Sequence, residues 1–138
     1  MVIMVMDGQG GGIGSLIIKA LRTAVTEDVE ILALGTNSAA TARMMKAGAN
    51  RGATGENAIV RTSPKAQVIM GPLAILMAHA MMGEVSPRMA EAVGGSDARK
   101  VLIPLTQEKV RLVGMTAEPL PHLVEEAVRI VTEILGHV

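Results

Sequence analysis

The stretch that most constrains this chain is Met1 to Ala20. Val2 to Met6 is an unbroken apolar run, Asp7-Gly8-Gln9-Gly10-Gly11-Gly12-Ile13-Gly14 follows, and Ser15-Leu16-Ile17-Ile18 opens a helical pattern. That order predicts strand, tight loop and helix. Glycines suit such a loop because it takes positive backbone dihedrals, lets a ligand approach the main chain and packs the helix tightly on the strand. Free N–H groups at the helix start, backed by the helix dipole, favour an anion such as a phosphate. Turning the chain would take roughly two or three glycines, so the five within residues 8–14 point to ligand binding.

The strict spacing G-x-G-x-x-G is not met, because Gly8 and Gly10 are followed by Ile13 where the third glycine belongs. Gly8, Gly12 and Gly14 fall instead as G-x-x-x-G-I-G. On that spacing Val5 to Leu21 resembles the cofactor turn of short-chain dehydrogenases, with Asp7 where they usually have threonine. The resemblance implies cofactor binding on Gly8, Gly12, Ile13 and Gly14. It does not extend to their chemistry, which donates a proton through a tyrosine with a lysine four residues on, since this chain has no tyrosine. A Walker-type P-loop is excluded as well: it needs a lysine and a Ser/Thr after its last glycine, whereas Gly14 leads to Ser15-Leu16 and the first lysine is Lys19.

A chain of 138 residues fits one nucleotide-binding domain with a real core. Its 13 basic and 13 acidic residues form no charge runs, so nothing electrostatic draws it to nucleic acid or an anionic membrane. The absence of Phe, Tyr and Trp also removes the rings on which single strands stack. Without cysteine there is no disulfide, thiolate nucleophile or cysteine zinc site. The N-terminus reads as a strand rather than a signal peptide. Pro72 to Met82, the longest apolar stretch, is about half of what a bilayer-spanning helix requires. The expectation is a cytoplasmic protein with neither nucleic acid nor membrane as partner, in which Pro72 to Met82 is a buried helix or the interface of a homo-oligomer.

Further along, the pattern predicts a helix over Ser15 to Val25, a strand over Val29 to Leu34, and a helix to about Lys46 behind the capping residues of Gly35-Thr36-Asn37-Ser38. A short strand is expected within Gly48 to Gly55 and a short helix over Glu56 to Arg61. Gln67 to Met70 reads as a buried strand that Gly71-Pro72 breaks before a helix over Leu73 to Met82. Ser86-Pro87 starts a helix that ends near Gly94-Gly95, Lys100 to Ile103 is a strand, and Val110 to Val113 is an edge strand. The final helix has the clearest stripe, Leu123, Val124, Ala127, Val128, Val131, Ile134 and Leu135, with Gly136 placed as a C-cap.

This alternation predicts an α/β fold, a Rossmann-like three-layer sandwich with a mainly parallel sheet of about five or six strands. Ligands of such sheets lie beyond the carboxyl ends of the strands, where strand order reverses. The candidate binding set is therefore Asp7, Gly8, Gln9, Gly10, Gly11, Gly12, Ile13 and Gly14, joined by Thr36, Asn37, Gly71 and Pro72, with Pro104-Leu105-Thr106 on the same rim. Over nearly its whole length the chain also resembles a family of small, clostridial-type bacterial proteins known as a domain of unknown function. The resemblance rests on Asp7 to Gly14, Ala33 to Asn37, Ala47-Gly48-Ala49, Gly52 to Ala58 and Gly71-Pro72. It implies a Rossmann-like fold and supplies no activity.

Asp7 has two readings. It accepts hydrogen bonds from the loop's own N–H groups and fixes the turn, or it holds magnesium, a ribose hydroxyl or a catalytic water. Adenine-dinucleotide binders place an acid about twenty residues after the loop to hold the ribose. Here that count reaches Leu34 and Gly35, and the neutral Thr36, Asn37 and Ser38 with Arg43 suit a 2′-phosphate, or a mononucleotide that leaves this strand end unused. The expected ligand is NADP or NAD. Glu56 and Asn57 read either as the lining of a site or as a solvated turn, His79 as a core or interface histidine, and His122 and His137 as surface residues. Three functions compete: a nucleotide-binding or sensing protein; a small nucleotide-dependent reductase or magnesium enzyme using Asp7, Glu56 or Glu84 as acid or base; and a self-assembling structural protein with an empty loop, held together through Met77 and Met81.

Overall fold

A computed structural model describes residues 1–105 and 108–136. Its elements are β1 (Val2–Asp7), α1 (Gly12–Ala24), β2 (Glu30–Gly35), α2 (Ser38–Lys46), β3 (Arg51–Thr54), α3 (Glu56–Thr62), β4 (Val68–Pro72), α4 (Pro87–Gly94), β5 (Arg99–Ile103) and α5 (Leu120–Ile134). The five strands form one sheet in the order β3-β2-β1-β4-β5, every pairing parallel. The expected α/β class is borne out. β1 sits in register with β2 from Val2↔Glu30 to Asp7↔Gly35, and with β4 from Ile3↔Val68 to Val5↔Met70.

Alternation along the strands builds two cores, since successive side chains point to opposite faces. Ile3, Val5, Ile31, Ala33, Val68 and Met70 pack with Ile17, Ile18 and Leu21 of α1, Met44 of α2 and the apolar stripe of α5. Met4, Met6, Leu32, Leu34 and Ile69 pack on the other face with Ile59 of α3 and Met89 and Val93 of α4. Both faces of β1 are buried, which is why it reads as a continuous apolar run. The chain winds outward through β2 and β3, then returns past β1 to β4 and β5, so the order reverses between β1 and β4.

Most elements fall where the sequence puts them, with informative differences. The first helix begins at Gly12, inside the glycine stretch, so Gly12 to Gly14 form its first turn. Gly71 and Pro72 do not break the fourth strand; they are its last two residues, paired with Leu102 and Ile103. The helix expected over Leu73 to Met82 is only a 3₁₀ turn, Leu73–Leu76. Beyond it His79, Met81 and Met82 take positive φ values of 70°, 59° and 57°, and backbone bonds such as His79 N to Val85 O (2.6 Å) and Val85 N to Ala80 O (3.2 Å) close a compact loop. A run whose sole polar residue is His79 has no polar face to fix a helical period, so burial of Ala74, Ile75, Ala80 and Met81 decides its shape.

The edge strand expected over Val110 to Val113 is not formed, and these residues are exposed; a mixed pattern cannot separate an edge strand from an exposed connection. Thr106 and His137 lie outside the described residues. Among the described residues no helix is long and apolar enough to cross a membrane.

Candidate functional site

Asp7 ends β1 at the point of reversal and is 4% exposed. Its Oδ1 accepts the Gly8 amide at 2.8 Å and its Oδ2 the Gly14 amide at 2.7 Å, and the Ile13 amide faces the same carboxylate. The carboxylate thus folds back over the loop it precedes, as the turn-fixing reading expects. Burial raises its pKa, the three backbone donors oppose that and the nearby Glu84 charge reinforces it; the net shift is upward.

Between these anchors the loop is tight. Gly11 takes φ 72°, a conformation glycine adopts without penalty, and donates to Gly8 O at 2.9 Å. At Gly14 a Cβ would lie 2.5 Å from Met44 Sδ and 2.9 Å from Asp7 Cβ, so no larger residue fits without rearrangement. Gly10 and Gly12 differ from both. Neither has positive φ, and an added Cβ would meet only the Arg43 guanidinium, at 3.8 and 3.6 Å. Among the described residues their amides have no acceptor, whereas the amides of Gly8, Gln9, Gly11 and Gly14 are taken and that of Ile13 faces the Asp7 carboxylate. Arg43, exposed on α2, reaches Gly10 O at 3.3 Å and makes no ion pair with a described carboxylate.

A second carboxylate braces the loop from outside. Glu84 Oε1 accepts from Thr36 Oγ1 at 2.6 Å, Gln9 N at 2.8 Å and Asn37 Nδ2 at 2.8 Å. Partial burial raises the Glu84 pKa, but these three donors outweigh it and the net shift is downward. Asn37 also donates to Gln9 O at 2.9 Å, and its Oδ1 caps α2 through Ala40 N at 2.8 Å. The end of β2, neutral when read from the sequence, therefore carries a carboxylate delivered by the compact loop before α4. Glu84 lies 48 residues from Thr36, so no local spacing reveals the pairing.

The cleft beside these groups measures about 320 Å³ and is lined by Asp7, Gln9, Ile13, Pro72, Ala74, Met81, Leu105 and Glu108. Apart from the carboxylates and Gln9 its walls are aliphatic. The structure brings Asp7 to Gly14, Thr36 and Asn37 together; Pro72 lines the cleft and Gly71 is buried in β4. Glu56 lies away from the glycine loop, opening the short helix α3 that the sequence predicts and pairing with Arg88 at 3.3 Å. His79 is exposed in the strained turn rather than in a core. Met81 is buried and Met77 packs on the second core, so neither offers the expected assembly face. A larger hollow, about 480 Å³ between α3 and α4, is lined by Arg88, Glu91 and Asp97 among others. It lies away from the reversal point and gathers no loop amides.

Fold and site together define a Rossmann-like α/β protein whose candidate ligand site is the glycine loop at the reversal of strand order. Within that class the chain belongs to the family described as domain of unknown function (DUF3842), whose model matches residues 2–136. No curated protein matches it. Among solved structures it is similar to a dodecameric FMN-dependent Ubix-like decarboxylase from Escherichia coli O157:H7, at 16% identity and a TM-score of 0.55, over 98% of this chain and 94% of that one. At such identity the likeness is one of fold.

Proposed function

We propose that the protein binds a nucleotide, with a phosphate held by the amides of Gly10 and Gly12 beneath the Arg43 guanidinium. The observation that carries this reading is the division of labour within the loop. Among the described residues the amides of Gly8, Gln9, Gly11 and Gly14 have acceptors within the protein and that of Ile13 faces the Asp7 carboxylate, whereas those of Gly10 and Gly12 have neither, and these are the same two glycines that neither φ nor crowding explains. The Arg43 guanidinium, which among the described residues makes no ion pair, stands over them. Two N–H donors left without an acceptor among the described residues, beside a guanidinium at a helix start, suit a phosphate. Asp7 has its charge spent on the main chain, so it shapes the loop instead of repelling the ligand. On the β4 side of the phosphate the nucleotide runs along the aliphatic wall of Ile13, Pro72, Ala74 and Leu105.

The first βα turn favours an adenine dinucleotide, NAD or NADP. The FMN-dependent protein of the same fold supports a second reading, a flavin mononucleotide, which also needs one phosphate site and a cleft for its ring. With neither tyrosine nor cysteine the chain favours binding or sensing over catalysis. We also infer that it forms a homo-oligomer, supported by the exposed apolar side chains of Leu112, Val113 and Met115 and by the dodecameric assembly named for the similar structure.

A thermal-shift screen against FMN, NAD, NADP, ATP and GTP tests the reading. A ligand at about a hundred times its dissociation constant adds about 2.7 kcal/mol, a rise of several degrees for a domain of this size. Gly12→Val, whose side chain meets only the Arg43 guanidinium, and Arg43→Ala are expected to melt like the wild type yet lose the ligand-induced rise. Absence of stabilisation by any nucleotide would favour the empty-loop assembly.

A further inference from the structure

The Glu84 carboxylate has a geometry that reaches beyond bracing the loop. In dinucleotide-binding sheets the acid that holds the ribose hydroxyls sits at the end of β2, on the strand's own continuation. Here that continuation is Gly35-Thr36-Asn37, without an acid. Glu84 fills the same place from a different segment, with Thr36 Oγ1 and Asn37 Nδ2 at 2.6 and 2.8 Å from Oε1. Among the described residues Oε2 has no hydrogen-bond partner, and the residue is only half-buried. The compact loop that aims it is closed by its own backbone bonds, Glu84 N to Met81 O at 3.1 Å among them.

We propose that Glu84 determines which nucleotide the site accepts: Oε2 takes a ribose hydroxyl at the end of β2, and the fixed negative charge rejects ligands that carry a phosphate there. This rests on the nucleotide reading above. The selection works by repulsion as much as by attraction. A phosphate placed here would meet a like charge and find Thr36 and Asn37 already committed to Oε1. Arg43, which could otherwise welcome a second phosphate, is turned toward Gly10. NAD is therefore accepted over NADP.

Isothermal titration calorimetry of the full chain with two ligand pairs tests this: NAD against NADP, and AMP against 2′,5′-ADP, which differ only by the 2′-phosphate. FMN serves as a further nucleotide. The wild type is expected to favour the member lacking the 2′-phosphate by about tenfold or more, the scale of one like-charge contact near a protein surface. Glu84→Gln keeps an acceptor oxygen for Gln9, Thr36 and Asn37 while removing the charge, and is expected to bring that ratio to within about threefold of unity. Glu84→Asp, which keeps the charge but withdraws it by one methylene, should fall between. A ratio that Glu84→Gln leaves unchanged would overturn the inference while nucleotide binding stands. So would binding of FMN with both adenine pairs refused by wild type and variant. Heat from no nucleotide at all would overturn this inference and the reading beneath it together.

Discussion

Asp7 shows how a single carboxylate can serve a phosphate loop without touching the phosphate. Both of its oxygens accept main-chain N–H groups from the loop. An asparagine in its place offers one acceptor and turns an NH₂ toward an N–H, leaving Gly8 or Gly14 unsatisfied in a buried setting. Asp7→Asn is therefore expected to destabilise the fold by about 1–3 kcal/mol, read from urea unfolding, although it removes a buried charge. An unchanged midpoint would show that these bonds contribute nothing. The pH dependence adds a sign. The pKa of Asp7 is raised above 3.8, so between that value and its folded pKa the native state holds more protons than the unfolded one, and stability declines as pH rises through the window. The wild type's advantage over Asp7→Asn should be greatest at the acid end and shrink as pH increases. Glu84, lowered from 4.5, acts oppositely: its contribution is complete above that value and is lost as pH falls through its folded pKa. The turn-fixing role of Asp7 was legible in the sequence, because a carboxylate beside several glycine amides has obvious local donors. The role of Glu84 was not, since its partners come from two distant turns.

At the scale of elements, strands and caps were the most legible features and the segment from Leu73 to Val85 the least. β1, β2 and β4 announce themselves as short apolar runs ended by glycine, and α4 by Ser86, whose hydroxyl accepts Met89 N at 3.2 Å, followed by Pro87. The Leu73 to Met82 run carries no periodicity. Its conformation comes from burying Ala74, Ile75, Ala80 and Met81 on the second core and from turn bonds that no composition reveals. The loop stores strain: Met82 holds φ 57° with its side chain 97% exposed, so nothing packs against it to compensate. Left-handed backbone costs a non-glycine residue about 1 kcal/mol or more, partly offset by the extra unfolded-state freedom glycine brings. Met82→Gly is accordingly expected to stabilise the protein by up to about 1 kcal/mol. A lower melting temperature in that variant would mean that the methionine makes a contact in solution, as at an interface between copies.

At the scale of the molecule, the parallel sheet and the position of its reversal followed from alternating strands and helices, because crossovers of that length force parallel neighbours. The connection between β5 and α5 did not follow: it exposes Val110, Leu112, Val113 and Met115, where an edge strand was expected. Exposed apolar side chains close in sequence suit contact with another copy. Sedimentation velocity is expected to show a discrete oligomer that Val113→Asp dissociates, with the melting temperature of the subunit changed by little. A wild-type monomer at every concentration would contradict the assembly.

The central claim is that a nucleotide phosphate meets the Gly10 and Gly12 amides, and an amide-resolved NMR titration tests it most directly. On adding the nucleotide picked out by the thermal screen, the Gly10 and Gly12 N–H resonances should move the most within the loop, with Arg43 Nε following. The Gly14 resonance, held by Asp7, should stay nearly fixed. If Gly8 and Gly14 move instead, the ligand displaces Asp7 and the division of labour proposed for the loop is wrong; if none of them moves while the protein is stabilised, the nucleotide binds elsewhere.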